Sequence, residues 1–158
     1  MCSEYIINTV MKKILLYGLF VTLVFAFSSN ALALCVNVPE ANLRGGPGTR
    51  YEKRWLVFKY TALKKIAKRK GWYKVQDVDG DLHWIHGKLV TSKIKCAVVK
   101  VEKANVRSGP GTRFKKSAMS PAIKYDSFKV IKRKGAWVKV KDEFGDKGWI
   151  SRKLLWIQ

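Results

Sequence analysis

The sequence predicts an all-β protein built as two small antiparallel barrels in tandem. Three observations predict it. One block of the chain is repeated, apolar and polar residues alternate within each copy, and Gly-rich turns rather than helical stripes separate the alternating runs.

The repeat carries the most information. Ala41-Asn42-Leu43-Arg44-Gly45-Gly46-Pro47-Gly48-Thr49-Arg50-Tyr51 returns 63 positions later as Ala104-Asn105-Val106-Arg107-Ser108-Gly109-Pro110-Gly111-Thr112-Arg113-Phe114. From Lys59 onward the offset is 65: Lys59-Tyr60 matches Lys124-Tyr125, Trp72 matches Trp137, and Trp84-Ile85 matches Trp149-Ile150. The second copy therefore carries two inserted residues. Each copy is roughly 60 residues, the size of a small domain that folds alone. The boundary is expected near residues 91–95, giving modules over 34–92 and 93–158.

Each element has a local reason. Trp72-Tyr73-Lys74-Val75 and Trp137-Val138-Lys139-Val140 alternate as half-buried strands do. Tyr73, Val75, Val138 and Val140 are expected inward with Ile85 and Ile150. Trp72, Lys74, Trp137 and Lys139 then share the outer face, and Trp84 and Trp149 fall opposite the isoleucines. Asp79-Gly80 and Phe144-Gly145-Asp146 supply hairpin turns. Lys68-Arg69-Lys70 and Lys132-Arg133-Lys134, followed by Gly71 and Gly135, read as a second hairpin tip in each copy. Gly-Pro-Gly fixes a bend.

Residues 1–33 read as a secretion signal. Lys12 and Lys13 form a positive start, Ile14 to Phe27 is an uncharged apolar run, and Ala31-Leu32-Ala33 is a small-x-small cleavage pattern. The run is shorter than the roughly 20 apolar residues that span a bilayer, so no transmembrane segment is expected after cleavage. Translation starting at Met11 fits the same pattern. Leu34 sits where a lipoprotein-type signal needs a small residue, which argues against lipid on Cys35. The expected location is the periplasm, the cell envelope or the medium. Lys and Arg number 32 against 11 Asp and Glu, a net charge of +21. Removing the signal takes Lys12, Lys13 and Glu4 and leaves +20. Such a charge attracts any polyanion and does not choose among them.

The spaced motifs carry a resemblance. Ala104 to Phe114, an apolar hairpin, then Gly135-Ala136-Trp137-Val138-Lys139-Val140, then Gly145-Asp146-Lys147-Gly148-Trp149-Ile150 resemble the bacterial Src homology 3 domain, and the first copy repeats the order. The resemblance covers residues 35 to 156. It implies, for each copy, a five-stranded Src-homology-3-like barrel of two small packed sheets. It also implies an exported module that attaches proteins to the cell wall or recognises peptides. Many relatives are fused to a peptidoglycan hydrolase, whereas no catalytic domain is expected in the remainder of this sequence. His83 stands where the second copy has Gly148, so the last hairpins are expected to differ.

The candidate ligand-binding residues are Arg50, Tyr51, Trp72 and Trp84 in the first copy and Arg113, Phe114, Trp137 and Trp149 in the second. Aromatic rings rimmed by Lys and Arg suit an extended peptide or glycan-peptide. The competing expectation is that a loop buries one Trp of each pair. Arg44 and Arg107 are expected to tie down the following loop through backbone carbonyls. His83 and His86 are three apart on a strand, point to opposite faces and chelate poorly, and no standard zinc spacing is present. No local Cys-His motif supports nucleophilic catalysis. The chain is expected to be no enzyme and to need neither metal nor cofactor. With Cys2 lost alongside the signal, Cys35 and Cys96 remain as an even pair in an oxidising compartment. A disulfide between them is expected; two buried, reduced cysteines are the alternative. The expected function is an exported, non-catalytic binding protein for cell-wall peptidoglycan or wall-associated peptides. The alternatives are binding of nucleic acid or another polyanion, against which export argues, and an envelope protein-protein adaptor.

Overall fold

The computed structural model describes residues 33–158; apart from Ala33, the expected secretion signal lies outside the described residues. The first module contains β1 (Ala33–Val36), β2 (Glu40–Arg44), β3 (Lys53–Phe58), β4 (Ala62–Arg69), β5 (Trp72–Gln76), β6 (Leu82–His86) and β7 (Val90–Thr91). All pairings are antiparallel, in the order β3-β2-β6-β5-β4-β1-β7. The second module contains β8 (Cys96–Val99), β9 (Lys103–Ala104), β10 (Ala122–Ile123), β11 (Ser127–Lys134), β12 (Trp137–Lys141), β13 (Lys147–Ser151) and β14 (Leu155–Ile157). These form a five-stranded sheet, β13-β12-β11-β8-β14, and the short pair β10-β9. The protein is all-β, two small Src-homology-3-like barrels in tandem. Among the described residues no helix is long and apolar enough to cross a membrane.

Alternation sets the two cores. Leu43, Val75 and Ile85 are fully buried in the first, with Leu34, Val36 and Leu63 around them. Val106, Val138, Val140 and Ile150 are fully buried in the second, with Phe128 and Leu155. Tyr73, expected inward, packs half-buried against the first core. Both copies carry the same β-bulge, between Lys65 and Ala67 and between Val130 and Lys132. The extra residue at each bulge, Ile66 or Ile131, is turned out to solvent, which is how an apolar residue inside a strand comes to be exposed. The Asp turns also match. Asp77 Oδ1 accepts from the Asp79 and Asp81 N–H groups at 3.1 and 2.9 Å. Asp142 Oδ1 accepts from those of Gly145 and Asp146, both at 2.8 Å. Gly80 and Gly145 take φ of 95° and 107° in these turns, where a side chain would be strained.

The register locates the two inserted residues. Val57 faces Ala41 and Phe58 faces Glu40, just as Ala122 faces Ala104 and Ile123 faces Lys103. The insertion therefore lies before Ala122, in a loop over residues 117–121. Ser117 N–H donates to Val106 O and Val106 N–H to Ser120 Oγ, so the loop folds back over the barrel. Pro121 has no N–H to offer a ladder, and the long β3 of the first module is reduced to the two-residue β10.

Cys35 and Cys96 form a disulfide, with Cα atoms 5.8 Å apart. Both lie fully buried at the junction with Ala62 and Val98, flanked by Tyr60, Val78, Ile94 and Trp156. The bond uses the sulfur that a lipid on Cys35 would need. Ser127 Oγ donates to Lys59 O at 3.0 Å, and Lys124 Nζ lies 3.3 Å from Asp79 Oδ1. The modules are thus joined by a covalent bond, a small core and polar contacts.

Candidate functional site

The ladder fixes which outer side chains meet. Trp72 stands between Arg69 and His86, and Trp84 between Lys74 and Arg44. Successive residues of a strand alternate faces, so all six share the outer face of β4, β5, β6 and β2. Trp72 and His86 meet edge to face with ring centroids 5.2 Å apart. Both Trp rings are half-buried. His83 and His86 lie on opposite faces, and His83 is turned inward at 8% exposure.

The Gly-Pro-Gly bend closes one edge of this face. Arg44 Nη1 donates to the carbonyls of Thr49 and Tyr51 at 2.8 and 2.7 Å, and Arg107 Nη1 to that of Phe114 at 2.7 Å. These two arginines are loop ties, as expected. The rings of Tyr51 and Phe114 lie so close on Gly46 and Gly109 that a Cβ at either glycine would run into them. Arg50 and Arg113 lie over those rings, 5.3 Å from the centroids. The aromatic after the bend is first a plug for the bend. Arg50 Nη2 approaches the Tyr51 hydroxyl at 3.5 Å. That hydrogen bond holds the Tyr51 hydroxyl below its ordinary value, and the charges of Arg50 and Arg69 add to it. Because the bend tolerates no Cβ at the first glycine of Gly-Pro-Gly, Gly109→Ala is expected to destabilise the second barrel by about 1–3 kcal/mol in urea unfolding.

In the first module the structure gathers Arg50, Tyr51, Trp72 and Trp84 onto one basic, aromatic face. The second module is not its copy. Trp137 is half-buried and faces Ser151 in place of a histidine. Trp149, a candidate ligand residue, is buried at 6% exposure, which agrees with the competing expectation that one Trp of each pair is covered. Lys139 and Arg107 flank it in register, and Lys132 Nζ lies over its ring at 5.9 Å. The position of Lys132 is Ala67 in the first module, which leaves Trp84 more open.

The sequence reading missed a second feature. A cleft of about 570 Å³ opens between β3, the 77–81 turn and the neighbouring module, lined among others by Trp55, Phe58, Asp81, His83, Val98 and Tyr125. Trp55 and Tyr125 meet edge to face across the junction at 6.0 Å. A signal was present: Trp55-Leu56-Val57-Phe58 is an apolar run in the first copy that the second lacks. Asp77, Asp81 and His83 place ligand atoms within 4.8 Å of one another. Asp77 Oδ1 is already used by the turn and Oδ2 by His83 Nε2 at 3.0 Å, so this grouping is accounted for as a turn closure.

Residues 39–91 and 102–155 each match the bacterial SH3 domain family, and the chain belongs to that family. No curated protein matches it. Among solved structures it is similar to NlpC1 of Trichomonas vaginalis, at 13% identity and TM-score 0.35, over 82% of this chain and 48% of that one. It is similar to NlpC2 of the same organism at 11% and 0.34, over 79% and 47%. An NlpC/P60 family protein from Bacillus cereus gives 13% and 0.35, over 80% and 56%. The chain spans about half the length of these proteins.

Proposed function

We propose that this is an exported, non-catalytic binding protein of the cell envelope, recognising cell-wall peptidoglycan or wall-associated peptides on the outer face of its first module. The observation that carries the reading is the placement of Trp72 and Trp84 on one sheet face among Arg69, Lys74 and His86. Half-exposed rings give apolar area at low entropic cost, and neighbouring cations supply charged donors to carboxylates. Family membership and a disulfide, a bond of oxidising compartments, support the reading. The net charge of +21 supports a second reading, attraction to any envelope polyanion without a defined site.

Co-sedimentation with purified sacculi separates the two. Replacing Trp72 and Trp84 together by Ala is expected to weaken binding at least tenfold while the β-sheet circular dichroism is kept, because aromatic contacts contribute roughly 1 kcal/mol each beyond area burial. Replacing the half-buried Trp137 is expected to change it little. Equal binding by all three proteins would favour bare charge attraction.

A further inference from the structure

Carboxylates outnumber cations in the cleft at the junction: Asp77, Asp79 and Asp81 stand against Arg54 and the Lys124 that pairs with Asp79, in a chain of net charge +21. From residue 34 onward the chain has ten acidic residues, and seven of them line two concavities. Asp77, Asp79 and Asp81 line the junction cleft. Asp126, Asp142, Glu143 and Asp146 line a smaller one of about 280 Å³ in the second module. The two are related by the repeat: the Asp77–Asp81 turn corresponds to Asp142–Asp146, Thr61-Ala62 to Asp126-Ser127, and the 117–121 loop stands in for Trp55 and Leu56.

Turn chemistry explains only part of this. Asp77 and Asp142 close their turns, and Asp126 accepts from the Ile123 N–H at 2.8 Å. Asp79 holds Lys124. The side chains of Asp81, Glu143 and Asp146 make no hydrogen bond or ion pair among the described residues. They stand beside unusual apolar exposure: Trp55 at 54% and Phe58 at 48% by the first cleft, Phe144 at 87% by the second. β3 is also the edge of its sheet, with one side unpaired by any strand. An exposed apolar edge is a template for an added chain.

We propose that these clefts bind an extended basic peptide, one that presents an ammonium or guanidinium group beside apolar side chains. The apolar part lies against Trp55 and Phe58 and the cation meets Asp81; the second module offers Phe144 and Asp146, both on its 142–146 turn. The volume of the junction cleft is in the range of preformed ligand sites. Charge complementarity selects the sign. Counting the local cations, Arg54 and Lys124 in the junction cleft and Lys59 in the smaller one, the carboxylates still stand three to two and four to one, and at physiological salt charges beyond about 8 Å are screened, so this local balance favours a cation. This site is distinct from the face of Trp72 and Trp84.

The test uses the oxidised chain from Leu34 onward and three hexapeptides: alternating Lys and Leu, Glu in place of Lys, and Ser in place of Leu. Calorimetry is expected to show binding of the Lys-Leu peptide, at least tenfold weaker binding of the Ser form, and for the Glu form only binding that Trp72→Ala with Trp84→Ala removes and the Asp changes below leave unaltered. Asp81→Asn with Asp146→Asn is expected to weaken the Lys-Leu peptide about tenfold, the equivalent of one charged contact. Both side chains are exposed, so the unfolding midpoint should hold. Trp55→Ala is expected to act in the same direction, and Trp72→Ala with Trp84→Ala to leave the affinity unchanged. Binding of the Glu peptide that Trp55→Ala weakens, no binding of the Lys-Leu peptide at millimolar concentration, or indifference to the Asp and Trp55 changes would overturn the proposal. So would a dimer in sedimentation velocity that Trp55→Ala dissolves, which would assign the cleft to a second copy of the chain.

Discussion

Removing the Cys35–Cys96 bond is expected to cost about 4 kcal/mol of stability, the largest effect of any single change considered. The bond closes a loop of 61 positions, and closing a loop of that length removes conformational entropy from the unfolded chain on this scale. For a chain of this size the loss corresponds to a fall in melting temperature of roughly 10–20 °C. Cys35→Ser with Cys96→Ser tests it by calorimetry against the oxidised protein. Both cysteines are fully buried at the junction, so the serine pair also leaves hydroxyls in an apolar site and the fall should be no smaller. Thiol titration of the unfolded protein from Leu34 onward, without reductant, is expected to find none. Two free thiols per chain, or a melting point that does not move on reduction, would contradict the account.

Gly148→His is expected to cost about 3 kcal/mol or more, although the first module carries His83 at the same register position. The reason is a difference in packing. Val75 faces His83, and Val140 faces Gly148. In the second barrel the space above Gly148 is filled. Even a Cβ there would overlap Val106 Cγ1, and Ser117 Oγ of the inserted loop lies 3.4 Å from its position. In the first barrel the six-residue β3 stands in place of that loop, and His83 fills the space with Nε2 on Asp77. The two-residue insertion and the loss of the side chain therefore belong together. Urea unfolding of Gly148→His and Gly148→Ala reads the cost. Adding Val106→Ala to Gly148→Ala is expected to lose less than the sum of the two single changes, because the second relieves the first. Additive losses would show that Val106 is not the obstacle.

Much of the fold was legible because the determinants are local. The period of two in Trp72 to Val75 and Trp137 to Val140 names the buried face, and Val75, Val138 and Val140 are all fully buried. Gly-Pro-Gly followed by an aromatic names a bend, and the ring on the glycine is its closure. Arg44 and Arg107 could be read as loop ties because they precede that bend. What was not legible depends on how distant segments meet. Whether Trp84 or Trp149 is covered turns on the residue across the neighbouring strand, Ala67 or Lys132, which a bulge common to both copies brings into the same row. The junction cleft needs Val98 and Tyr125 from one module to stand against β3 of the other, a relation no single repeat contains. The acidic turns were read as hairpin chemistry, which they are; their second property, a carboxylate edge beside exposed aromatics, appears only once the repeats are folded and joined.

The central claim is that the first module binds envelope material through a defined face and not through net charge. The direct measurement is co-sedimentation of the oxidised chain with purified sacculi from low salt to about 0.5 M, with duplex DNA as competitor. Surface attraction by bare charge is screened over this range as the Debye length falls from about 30 Å at 0.01 M toward a few ångströms. The account predicts that a fraction of the binding persists at the highest salt, resists DNA, and disappears when Trp72 and Trp84 are replaced together by Ala. Complete loss at moderate salt, with DNA displacing the protein and the Trp variants behaving as the parent does, would contradict it.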